Sequence, residues 1–176
     1  EYEDYQRKPT IENASEFISC ALEQNLDIAA TRKNYVDYLA HRPRVEKIGE
    51  HGLFTDEGEP VVLGQVQNQV ADHKGIVWTH VISLRREDAA RLGYDSAVQW
   101  MALLRSKRAM LCKHMKINSA NLRWYAAFHN ESHHPHVHLM VYSAKDREGY
   151  LSKQSIEAMR SELAHDIFRQ DFANIY

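Results

Sequence analysis

The sequence predicts an α+β fold on three observations. Two apolar, β-rich runs, NLRWYAAFH (121–129) and HPHVHLMVYS (134–143), follow each other closely enough to form a hairpin. A third run, GIVWTHVISL (75–84), stands alone, and stretches with helical spacing fill the intervals. Helices mixed with an antiparallel hairpin belong to the α+β class. A chain of 176 residues buries a real core in one domain, so one domain over 1–176 is expected. With 44% hydrophobic and 26% charged residues it is a folded protein rather than a disordered or fibrous one.

Taken in order, EYEDYQRKPT is polar and ends at Pro9. Asn13-Ala14-Ser15 precedes Phe17, Ile18, Ala21 and Leu22 at helical spacing, which predicts a helix. That helix continues, with a break near Asn25 to Asp27, through Tyr35 and Leu39 to a stop at His41-Arg42-Pro43. Gly49, Gly52, Gly58 and Pro60 make residues 44–63 a loop or short hairpin, with strand pieces near Gly52–Phe54 and Val61–Leu63. A short helix over 65–72 leads to a central strand over 76–84. RREDAARLG is a short helix closed by Gly93, and 95–115 a longer one with Val98, Met101, Leu104 and Leu111 on its apolar face. The two hairpin strands, joined by about four residues, precede a last helix over 152–170.

Cys20 and Cys112 sit singly in apolar patterns, so they read as buried thiols rather than a disulfide or a metal site. No apolar run reaches the length of a membrane span and the start has no signal-peptide core, which predicts a cytoplasmic protein with no membrane partner. A net charge of -2 gives no overall pull on polyanions, so any nucleic-acid contact needs local basic patches. Three such patches are Arg42, Arg44 and Lys47; Arg85 and Arg86 at the end of the central strand; and Arg105, Lys107, Arg108, Lys113 and Lys116 on the long helix.

FHNESHHPHVHLMVYS (128–143) holds His129, His133, His134, His136 and His138. Alternation along a strand sends His134, His136 and His138 to one face and Pro135, Val137, Leu139 and Val141 to the other, an apolar core face. A turn at Asn130–His133 would pair His129 with His134, Ala127 with His136 and Tyr125 with His138. His129 then joins the imidazole face, and small Ala127 leaves space there. Same-face neighbours are roughly 6.5–7 Å apart, a span over which rings converge on one ion. The expected ligands are His129, His136 and His138, with His134 competing for the third place and His133 solvated in the turn. Three imidazoles leave coordination positions open, as at a catalytic ion, and by themselves favour zinc, iron, nickel or copper over magnesium. A cupin-like metalloenzyme also uses HxH, but it needs many more short strands than this sequence offers.

The hydrophobic-flanked His136-Val137-His138, seven residues after His129, resembles the HUH signature of conjugative relaxases. Together with ISLRREDAARLGYDS and NYVDYLAHRPRVEKIGEHGLF, the hairpin is similar to the MobL group of MobP-type relaxases over most of residues 30–170. The resemblance implies an antiparallel sheet with a central histidine hairpin flanked by helices. It also implies a divalent ion, manganese or magnesium, with zinc or nickel as substitutes. The activity implied is nicking of single-stranded DNA at a transfer origin, in which a tyrosine keeps the 5′ end as a phosphotyrosine. Implied partners are that DNA, accessory relaxosome proteins and a coupling protein.

Relaxases place the nucleophile upstream of the histidines, on a helix that follows a strand, which points to Tyr35 or Tyr38. No convincing strand precedes them, and the chain starts at Glu1 without a methionine, so a nucleophile in an absent upstream segment stays an alternative. Tyr125 lines the site or packs, His80 is a core residue or supports a ligand from behind, and Glu131 is a candidate aid to metal or proton transfer. A rolling-circle initiator would carry its tyrosine after the histidines, as Tyr142, Tyr150 and Tyr176 do. A DNA-binding module that lost nicking is the remaining alternative.

Overall fold

A computed structural model describes residues 21–23 and 29–173. The patterns around Pro9, Asn13, Ser15, Phe17, Ile18, Cys20, Asn25–Asp27 and Tyr176 lie outside the described residues. Four antiparallel strands make one sheet: β1 (Ala21–Glu23), β2 (Val77–Ser83), β3 (Leu122–His129) and β4 (His136–Ser143), in the order β1-β2-β4-β3. Ala21 and Leu22, expected in a helix, pair instead with Val81 and His80 of β2. Three residues are too few to show a period of two, and ladder bonds to a neighbour decide such a strand. A strand therefore does precede the tyrosine-bearing helix, α1 (Ala29–His41).

Helices cover both faces. On one, α1 and α2 (Leu63–Asp72) bury Val36, Leu39, Val66 and Val70 against Val77, Ala127, Met140 and Tyr142. The chain then leaves β2 through α3 (Arg86–Leu92), α4 (Ala97–Ser106), α5 (Arg108–Met115) and a 3-10 turn at Ser119–Asn121 before β3. With α6 (Lys153–Ile167) and α7 (Arg169–Ala173) following β4, these elements supply Trp100, Leu104, Leu111, Met115 and Leu163 to the opposite face. There they meet Trp124, Phe128, Val137, Leu139 and Val141. Each fully buried side chain of this kind contributes about 1.5–3 kcal/mol. The single core face expected for β4 is thus corrected to two, because Met140 and Tyr142 continue the imidazole face under α1 and α2.

Several boundaries differ from expectation for local reasons. The helix expected over 95–115 breaks at Lys107, whose ammonium pairs with Asp166 of α6, and Val98 lies 68% exposed rather than on the apolar face. Gly93 closes α3 in the left-handed conformation as expected (φ 82°). Phe54 bridges Ala126 along the free edge of β3, whereas Leu63 opens α2 rather than ending a strand. The last helix ends at Ile167 before the short α7.

The hairpin link is residues 130–135, longer than expected. Leu84 N–H donates to Pro135 O and Arg86 N–H to His133 O (both 3.1 Å), so the chain before His136 runs along the extension of β2 instead of pairing with β3. The register is therefore His129 with His136, Ala127 with His138 and Tyr125 with Met140, two residues from the expected one. A slip of two leaves every side chain on its face. Cys112 is a half-buried free thiol. Among the described residues no helix is long and apolar enough to cross a membrane.

Candidate metal centre

β3 ends on His129 and β4 begins on His136, so the pairing of strand ends sets these two rings side by side, and alternation adds His138 opposite Ala127. The three ring centroids lie 4.7–5.2 Å apart. One ligand atom from each comes within 4.8 Å of the others, a cluster able to hold a metal ion. His129 and His138 are buried and His136 half-buried.

Hydrogen bonds orient two of the rings. His129 Nε2 faces the Leu39 carbonyl of α1 at 3.2 Å and His136 Nδ1 faces the His134 carbonyl at 2.9 Å. A carbonyl only accepts, so these nitrogens carry the protons and His129 Nδ1 and His136 Nε2 keep their lone pairs. His129 Nδ1 and both nitrogens of His138 are buried without a hydrogen-bond partner, which ordinarily costs about 1–3 kcal/mol for each such group. Burial pushes His129 down to about 4 and His138 to about 3, and lowers His136. Neutral imidazoles with converging, otherwise unsatisfied lone pairs are the donor set a divalent cation requires. The residues present fit such an ion.

A fourth ring beside the three imidazoles comes from α1. Tyr38, 45% exposed, has its ring 6.5 Å from His129 and 6.4 Å from His138. The Arg42 guanidinium carbon lies 5.2 Å from the Tyr38 ring centroid. Tyr35 stacks on Tyr38 at 6.4 Å and packs into the α1–α2 core, so the ring contacts to the histidines belong to Tyr38. Both Arg42 (3.7 Å) and Arg44 (3.1 Å) pair with Glu131 of the histidine turn. Glu131, a candidate aid to the metal or to proton transfer, ties that turn to the residues that follow α1 through these pairs.

His134 is not in the cluster; it lies outside β4 and offers its carbonyl to His136. His80, a candidate support for a ligand, pairs with Leu139 while its neighbour Val81 pairs with His138, so alternation sends it to the opposite face. Tyr125 shares the histidine face but lies opposite Met140 and reaches Gln69 of α2 at 3.4 Å. Arg85 pairs with Asp88, Arg105 donates to Thr55 O and Arg108 pairs with Asp56. Arg86 folds back on the histidine turn. Of the later tyrosines, Tyr142 is buried against His73, and Tyr150 is exposed.

Two contacts have no sequence signal: the Leu39 carbonyl behind His129, and the fork of Arg86 on a turn more than forty positions away. The family model of the MobL relaxases matches residues 1–175. No curated protein and no solved structure matches the chain.

Proposed function

The chain belongs to the MobL relaxase family, and on that premise we propose that it nicks single-stranded DNA at a transfer origin with Tyr38 as the nucleophile. The observation that carries this reading is the Tyr38 ring, half exposed and within 6.5 Å of two of the three clustered histidines. In the reaction, the Tyr38 oxygen bonds to phosphorus, the bond from phosphorus to the 3′ oxygen breaks, the phenol loses its proton and the departing oxygen gains one. The phosphotyrosine keeps the energy of the broken diester, so the same site rejoins strands by reversal.

A divalent cation held by His129, His136 and His138, manganese or magnesium in such relaxases, would offset charge on the phosphoryl oxygens. Leu39 and His134 hold two of those rings by their carbonyls. Arg42, over the Tyr38 ring, places positive charge beside the phenol and any phosphate that reaches it. Arg44, more exposed, is the second arginine available to the DNA strand. The proposal extends to one relaxase domain over 1–176, acting in the cytoplasm with accessory proteins and a coupling protein. A tyrosine on α1, ahead of the hairpin, favours this order over a rolling-circle initiator.

The test is incubation of labelled single strands, tiled across the transfer origin of the parent element, with protein and manganese. Wild type and Tyr35→Phe should give an adduct that survives denaturation, and Tyr38→Phe should give none. An adduct retained by Tyr38→Phe overturns the nucleophile, and wild-type binding without any adduct leaves a DNA-binding module.

A further inference from the structure

We propose that Arg86 is a positioning residue for the metal centre, holding the turn that spaces the two ligand strands, and that its guanidinium is not a DNA contact. The inference rests on the reading of His129, His136 and His138 as ligands.

The turn from Asn130 to Pro135 joins the last residue of β3 to the first of β4, and both of those residues are clustered histidines. Asn130, Ser132 and His133 are exposed, so little apolar burial fixes this backbone. Besides the Asn130 N–H bond to Arg44 O and the Glu131 pairs with Arg42 and Arg44, the constraint on the turn comes from Arg86. Its Nε donates to Ser132 O at 3.1 Å, and its Nη2 to Asn130 Oδ1 at 2.6 Å and to Glu131 O. Its backbone N–H adds His133 O, and Leu84 N–H adds Pro135 O. A fifth backbone carbonyl of the turn, His134 O, accepts from His136 Nδ1.

Every residue of the turn is thus bonded either to the segment Leu84–Arg86 or to a clustered histidine. The path from Arg86 to the ligand set has two short steps: the guanidinium fixes the carbonyls of 131 and 132, and the turn so held presents the 134 carbonyl that orients the His136 ring. A planar fork does this where an ammonium cannot, since Nε and Nη2 reach separate acceptors at once. An arginine that reads phosphates points its fork outward; this one is turned onto its own chain.

The experiment measures cobalt(II) uptake by visible absorption in wild type, Arg86→Ala, Arg86→Lys and Asn130→Ala, with single-strand DNA affinity measured against salt on the same proteins. Loss of a group that orients a ligand weakens metal binding by about 10–100-fold, and the expected result is a loss near the lower end for Arg86→Ala. Arg86→Lys should restore only part of it, and Asn130→Ala, which changes no charge, should lose a smaller but measurable part. The dependence of DNA affinity on salt should keep its wild-type slope. Cobalt affinity within twofold of wild type in all three variants, with a slope lower by about 0.7 in Arg86→Ala, would make Arg86 a phosphate contact and overturn the inference alone. Wild type that takes up no cobalt overturns the ligand reading beneath it. If Arg86→Ala does not fold, the lysine and Asn130 variants decide.

Discussion

The two faces of β4 are built from alternate residues of one eight-residue strand, yet they obey opposite rules. Val137, Leu139 and Val141 lie among Trp124, Phe128 and the α4–α6 side chains, where apolar side chains fill the space between sheet and helices. Two residues apart on the other face, Met140 and Tyr142 are packed as well, but His136 and His138 end in an imidazole cluster in which His129 Nδ1 and both nitrogens of His138 are buried without a hydrogen-bond partner. The first face stabilises the fold. The second gives up stability to keep lone pairs available.

The contrast is broken or upheld most directly by truncating neighbours. Leu139→Ala should lower global stability by about 2–5 kcal/mol in denaturant titrations, from lost burial plus a cavity. His138→Ala should abolish metal uptake, a loss beyond the roughly 100-fold that an orienting partner is worth. The same variant should leave the metal-free fold as stable as wild type or more so, because a buried unsatisfied group is removed. If His138→Ala unfolds the protein as Leu139→Ala does, the two faces are not different in kind.

Much of this division is legible in the sequence, for a reason the register makes plain. Face assignment needs only the period of two, so a turn length wrong by two residues still sends His129, His136 and His138 to one side. The same parity turns His80, which lies next to Val81, away from the cluster, in keeping with the core role that is one of its two readings. What parity does not carry is contact across the chain. The choice between Tyr35 and Tyr38, three apart on one helix, depends on how α1 crosses the sheet. The roles of Arg86 and Leu39 depend on carbonyls brought together by folding. Strand β1 is invisible because its three residues take their conformation from β2.

Acid has a smaller effect, since both faces carry histidines lowered by burial: His80 to about 4 on one, His129 to about 4 and His138 to about 3 on the other. Between those values and the ordinary 6.5, the unfolded chain binds protons that the folded chain does not. Stability of the metal-free protein therefore falls as pH drops from 6.5 toward 4 and levels off once the folded histidines protonate. His80 alone accounts for about 3 kcal/mol over that window. His138→Ala should keep most of this slope. Saturating cobalt should steepen it in wild type and leave it unchanged in His138→Ala, because protons compete with the metal only on one face. Thermal melts across pH, with and without metal, read both results.

The smallest effect belongs to Glu131, where the histidine face meets the tyrosine helix. Its carboxylate takes both Arg42 and Arg44 in partly exposed pairs, which are each worth no more than about 1 kcal/mol to the fold. The same two arginines flank Tyr38, so a DNA phosphate arriving there has to compete with Glu131 for them. Glu131→Gln removes the competitor's charge while keeping its size. Stability should change by less than about 1 kcal/mol, while single-strand affinity at low salt should rise a few-fold and the salt dependence steepen as the arginines become available to phosphate. A fall in affinity instead would mean that Glu131 acts chiefly by aiming the arginines rather than by occupying them. In that case the turn serves the tyrosine side of the site as directly as it serves the histidines.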